Sequence, residues 1–311
     1  GEAQPLTGFA CHTAPGIRQE QALDVVHIRR QPPPLRRPVL LAAFKGWNDA
    51  GEAASGALEV LHTSLGATEF AGIEAEDFFD FQSTRPTVRR TEDGGRTIDW
   101  PDNEFSWAAP QGAQHDVVLL DGTEPNLRWR AFAGGVAELA VDLGVELVVT
   151  LGALQVDVPH TRPVPITGGA SDGQLAAQLG LPRSNYEGPT GMTGVLYHAS
   201  VESGLTAVSL WAGVPHYLAG TPFLSASLAL AERVAGLVGA DLSLEKLARD
   251  AAGQADDIQA LLAEDDDLAE YVAELEERFA TAHADDNLPA PTMSGDELAA
   301  ELERYLRDRS D

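Results

Sequence analysis

Residues 38–66 read "PVLLAAFKGWNDAGEAASGALEVLHTSLG". Pro38 opens an unbroken apolar run over 39–44, short enough for a strand and apolar enough to be buried on both faces. Asn48 or Asp49 can then cap a helix on which Ala53, Ala57, Leu58 and Leu61 recur at helical spacing, and Gly66 can end it. Strand, polar turn and helix in this order make the unit of an α/β sheet covered on both sides.

The same alternation continues outward. "EFAGIEAEDFFDF" (69–81) reads as a strand, and "TVRRTEDGGRTIDWP" (87–101) as a hairpin turning at Asp93-Gly94-Gly95, placed at an edge or in an oligomer contact. "DVVLLDG" (116–122), "VELVVTLGA" (145–153) and "LTAVSLWAG" (205–213) are further buried strands. Helices fall between and after them, at "RWRAFAGGVAELAVDLG", at Met192 to Ser203 and at "PFLSASLALAERVAGLVG". A long Pro- and Gly-rich loop runs from Val156 to Gly169, and Asp172 can cap a short helix through Leu179. Buried strands alternating with helices predict a mainly parallel sheet with helices on both faces.

The chain has 311 residues and a single cysteine, Cys11, so an internal disulfide and a multi-thiolate metal site are both excluded. Lysine and arginine number 21 against 48 acidic residues, a net charge of −27 that repels nucleic acid and anionic lipid. No apolar run approaches the ~18 residues a membrane span needs, and the first residues lack a secretory pattern, so a cytoplasmic protein is expected. Three regions are expected: an N-terminal arm (1–20), the α/β sheet domain (21–240) and an acidic helical extension (241–311). That extension holds 21 acidic and 6 basic residues, with Leu261, Leu262, Leu268, Val272 and Leu275 as a modest apolar stripe and "TAHADDNLPAPTM" as a linker.

In open α/β sheets the loops beyond the carboxyl ends of the strands carry the work, because helix N-termini converge there. Four such loops follow the expected strands: "KGWNDAG", "DGTEPNLRW", "DVPHTRP" and "GVPHYLAG", the last two sharing Val-Pro-His. Gathered on one rim, they and "NYEGPTGMTG" supply Lys45, Asn48, Asp49, Asp121, Glu124, Asn126, Arg128, His160, Arg162, Tyr186, Thr190 and His216 as a ligand or interface crest. General acid and base chemistry would fall to His160 or His216, an anion contact to Arg162 or Arg128, and hydroxyl orientation to Glu124 or Glu187. The structural reading of the same loops is that Pro, Gly, Asp and Asn end strands wherever strands end. "GGASDG" (168–173) lacks the Lys and Ser/Thr of a phosphate-binding loop, no Gly-x-Ser-x-Gly elbow occurs, and no His-Glu-x-x-His spacing occurs. No metal and no cofactor are expected.

Five ordered blocks, "AFKGWNDAGEAASGAL", "LLDGTEPNLRWR", "GALQVDVPHTRP", "YEGPTGMTGVL" and "SLWAGVPHYL", resemble the bacterial branch of the proteasome assembly chaperone family, type two. The resemblance covers roughly residues 20–240. It implies a phosphorylase/hydrolase-like α/β fold, a cytoplasmic and self-associating protein, and a non-enzymatic role with proteasome subunits or another protein as partner. Phosphorylase-like relatives often form trimers, which makes a homotrimer the expected assembly. Archaeal-type relatives dock through a C-terminal hydrophobic-Tyr-any tripeptide. Here the last residues are "RYLRDRSD", with Tyr305 six residues from the end, so tail insertion of that kind is not expected. The alternative is a phosphorylase-like or hydrolase-like enzyme acting on a small molecule at the crest.

Overall fold

A computed structural model describes residues 25–91, 93–181 and 186–284. The N-terminal arm with Cys11, most of the linker over 281–293 and the segment holding Tyr305 lie outside the described residues. Within them the chain runs β1 (His27–Ile28), β2 (Val39–Lys45), α1 (Ala53–Leu65), β3 (Thr68–Ile73), β4 (Thr87–Arg90), β5 (Arg96–Asp99), β6 (Asn103–Ala108), β7 (Val117–Thr123) and α2 (Trp129–Asp142). It continues with β8 (Leu147–Val156), β9 (Ile166–Ala170), α3 (Gly173–Gln178), α4 (Met192–Glu202), β10 (Thr206–Pro215), α5 (Leu224–Val238), α6 (Glu245–Leu262) and α7 (Asp266–Ala284).

Eight strands make one sheet in the order β1-β3-β6-β7-β2-β8-β10-β9. The four central strands β7, β2, β8 and β10 run parallel, and antiparallel neighbours complete both flanks. The strand opened by Pro38 lies at the centre with every residue from Val39 to Phe44 buried, as its apolar run requires. Odd residues of β2 pack under α1 and α5; even ones pack under α2 and α4. Phe132 of α2 anchors the second layer, edge-on to Phe44 at 5.8 Å and to Phe78 at 5.5 Å.

Three stretches differ from the reading of the sequence. The strand expected over 69–81 stops at Ile73, and a single helical turn at Ala75–Asp77 folds Phe78 and Phe79 into the core together, which strand alternation cannot do. The loop expected over 156–169 contains most of β9, whose Gly168 and Gly169 hide the strand-forming Ile166 and Thr167. Gly168 is what admits it to the sheet, since a Cβ there would lie 1.9 Å from the Ser209 carbonyl oxygen. Strand β6, a stretch to which the sequence reading assigns no element, links β3 to β7. The hairpin at Asp93-Gly94-Gly95 does form, with β4 and β5 as a separate two-stranded sheet.

The acidic extension continues the α/β body. Helix α6 packs on α5, with Leu247, Ala251, Ile258 and Leu262 buried. Gln254 fastens its middle by accepting from Leu224 N at 2.9 Å and donating to the Pro222 carbonyl at 2.7 Å. Val272 and Leu275 of α7 are also buried, so the expected apolar stripe faces the protein, with Leu261 outside it and exposed.

Candidate functional site

Because β7, β2, β8 and β10 are parallel, their last residues Thr123, Lys45, Val156 and Pro215 end at one edge, and the four loops named from the sequence leave from that rim. Their side chains fall into two groups.

The first lies at the ends of β7 and β2. The Asn48–Asp49 turn is stitched to the end of β8 by the Ala153 N–H, which donates to the Asn48 carbonyl at 2.8 Å. The Asp49 carboxylate caps α1 across the intervening turn: one oxygen accepts from Ala54 N at 2.8 Å and Ser55 N at 3.2 Å, the other from the Ser55 hydroxyl at 2.6 Å. Burial raises the pKa of Asp49, and these bonds pull it back only in part. Glu124 crosses to the opposite layer, where its Oε1 accepts from Met192 N at 2.7 Å and caps α4. Between them sits Gly191. A Cβ on it would fall 1.9 Å from Asn48 Oδ1 and 2.5 Å from Glu124 Oε1, so only glycine lets the three converge. Asn48 Oδ1 is buried with no hydrogen-bond partner among the described residues. Asp121, beside Lys45, is raised by burial and lowered by that lysine's charge.

The second group lies at the ends of β8 and β10, where the two Val-Pro-His runs meet. The Tyr217 phenol joins them, since its oxygen accepts from the His160 backbone N–H at 2.9 Å and lies 2.9 Å from His160 Nδ1. With the imidazole neutral, Nδ1 can accept the phenol proton while the phenol oxygen accepts from the amide. Two shifts agree: burial lowers the pKa of His160 against the charge of Glu276, and burial raises that of Tyr217. His216 stands 3.4 Å from Asp157 and edge-on to both Tyr217 (5.6 Å) and Tyr271 (5.3 Å).

Helix α7 packs against one side of this second group and leaves His216 exposed. Tyr271 packs on His216 and Tyr217, Glu276 accepts from the Thr161 hydroxyl at 2.5 Å, and the Arg162 guanidinium lies 5.9 Å from the centre of the Phe279 ring. The sequence pointed to the histidines and to the apolar stripe, and missed that Tyr271, next to the stripe residue Val272, packs on His216. Tyr217, adjacent to His216 in "VPHYL", was the available signal; Tyr271, Glu276 and Phe279 had none.

Other expected crest residues serve the loops themselves. Asn126 accepts from Asp80 N and the Thr84 hydroxyl, and Arg128 pairs with Asp77 at 2.9 Å, so both pin the 75–84 loop. Tyr186 donates to the Pro189 carbonyl at 2.8 Å, and Thr190 lies over the first turn of α4, 2.1 Å from where a Cβ on Gly194 would be. Glu187 is exposed in the same loop. Among the described residues, no three His, Cys, Asp or Glu side chains are placed to hold a metal ion, and no helix is long and apolar enough to cross a membrane.

Comparison with known proteins follows this geometry. Residues 43–262 match the PAC2 family, a span holding both rim groups apart from the α7 side chains. A PAC2 family protein from Streptomyces avermitilis is 45% identical, covering 76% of this chain and 99% of its own, with a TM-score of 0.70. A Mycobacterium tuberculosis proteasome-assembly chaperone homologue is 43% identical over 75% of this chain and 99% of its own, with a TM-score of 0.69. An archaeal proteasome activator from Pyrococcus furiosus shares the fold at 17% identity and a TM-score of 0.61, covering 76% of this chain and 97% of its own. Comparison with curated proteins gives no match. The chain belongs to the PAC2 family.

Proposed function

We propose that this chain is a non-enzymatic, self-associating cytoplasmic protein that binds proteasome core subunits and assists their assembly. The observation that carries the reading is the state of the rim. The two imidazoles best suited to chemistry are both engaged by aromatic neighbours, His160 half-buried and bonded to Tyr217, His216 edge-on to Tyr217 and Tyr271 at the surface. In the other rim group, Asp49 and Glu124 serve as helix caps. Lys45, Arg162 and His216 stay exposed around these committed groups and give the rim a polar surface for a partner, and the 43% identical relative is itself a proteasome-assembly chaperone homologue. The net charge of −27 favours a basic partner surface and a rate of encounter that falls with salt.

The test is a low-salt pull-down of purified proteasome α- and β-subunits on the full chain, with mass photometry of the chain alone. Retention of a subunit and a mass above the monomer, with a trimer expected, would support the proposal. A monomer that retains neither subunit would overturn it.

A further inference from the structure

At the β1 flank of the same rim, where the Asp102 carbonyl accepts from Thr123 N at the end of β7, the β4–β5 hairpin and strands β1, β3 and β6 line an open cavity of about 530 Å³. That volume lies within the range of small-molecule sites, roughly 300–1,000 Å³. Its floor is Gly72. A Cβ there would lie 2.2 Å from Arg29 Nη2 and 2.9 Å from Glu104 Oε1, so the missing side chain is what lets the Arg29–Glu104 ion pair lie flat across the strands. One wall is the edge-on pair Phe81 and Trp100, 4.8 Å between centres, with Trp100 half exposed. The remaining lining is acidic. Arg29 is matched to Glu104 and Arg89 to Asp99, which leaves the carboxylates of Glu74, Glu76 and Asp102 in excess among the lining residues, with the charge of Lys45 acting on Asp102 from outside the cavity.

We propose that this cavity binds an organic cation, an alkyl guanidinium or alkyl ammonium group held between the Phe81–Trp100 wall and the carboxylates of Glu74, Glu76 and Asp102. Two forces act in the same direction. Carboxylates in a cleft with low-dielectric walls focus a negative potential, and an aromatic face attracts a cation that has lost part of its water. An inorganic ion would gain only the first, whereas an alkyl chain also buries against Ile73 and Ile98. The group can arrive as a free polyamine or as an arginine or lysine side chain of another protein.

Isothermal titration of the full chain at low salt tests this with N-acetyl-arginine methylamide, its uncharged isostere N-acetyl-citrulline methylamide, and spermidine. Saturable 1:1 binding of a cation is expected, at least about tenfold tighter than citrulline. Glu74 and Glu76 are exposed, so the E74Q/E76Q variant keeps the fold and should weaken cation binding at least about fivefold, as should W100A. E264Q/E270Q, which removes two charges at a distance, should change nothing. Tighter binding of spermidine than of the arginine amide marks a free polyamine as the source, and the reverse marks a protein side chain. No saturation by either cation up to about 10 mM, equal binding of citrulline, or equal weakening by the distant pair would overturn the proposal.

Discussion

Replacing Tyr271 by alanine should free α7 from the rim without unfolding the sheet. Its ring stands edge-on to His216 at 5.3 Å and to Tyr217 at 6.3 Å. Aromatic pairs of this geometry contribute about 0.5–1.5 kcal/mol each, so the local docking free energy should fall by about 1–3 kcal/mol. Amide exchange in α7 proceeds through that local opening, so protection over 266–284 should drop by a factor of about 5–150 while α1 and β8 keep theirs. Tyr271→Phe retains both ring contacts and should stay close to the parent. Hydrogen–deuterium exchange with peptide mass spectrometry reads all three elements in one experiment. Unchanged protection of α7 in Tyr271→Ala, or an equal loss in α1, would refute the assignment of Tyr271 as the clasp.

Gly191→Ala forces a Cβ into Asn48 and Glu124 and should cost about 2–4 kcal/mol through overpacking and loss of the α4 cap, whereas Gly134→Ala in α2 meets open space and should stabilise by up to about 1 kcal/mol. Urea denaturation checks both, and equal midpoints would contradict the convergence at Gly191. Phe132→Ala empties the centre of the second layer and should cost about 3–5 kcal/mol by the same assay, with a smaller loss counting against its place in the core. Asp49, Glu104 and Asp121 all have pKa values raised by burial, so the folded state holds their protons to higher pH than the unfolded chain. Stability should therefore rise as pH falls through those raised values toward 3.8–4.5, and be lost above them. In about 1 M NaCl, where the repulsion of the net charge is screened, Asp121→Asn should show a smaller gain in melting temperature on acidification than the parent, and an equal gain would contradict it.

The parts of the fold legible in sequence were those in which one residue pattern admits one structure. "PVLLAAF" is too apolar for an exposed strand and too short for a helix pair, and it is the central strand. The rim was legible for the same reason, since parallel strands must end together once their helices return. What the sequence concealed depends on contacts across long separations. Strand β9 exists because Gly168 accepts the Ser209 carbonyl against it, and β6 because β3 and β7 need a strand between them. The histidines drew attention by chemistry, yet their environment is set by Tyr271 and Glu276, more than fifty residues beyond either Val-Pro-His run. An imidazole's role is decided by its neighbours, and those neighbours arrive on a different helix.

The assembly role is tested most directly by following core-particle formation from purified proteasome α- and β-subunits in the presence and absence of this chain. Native electrophoresis reads the assembled core, and the onset of peptidase activity reads its maturation. Faster appearance of both, with the chain bound to an intermediate, is the expected result. Identical time courses with no bound intermediate at low salt would contradict it.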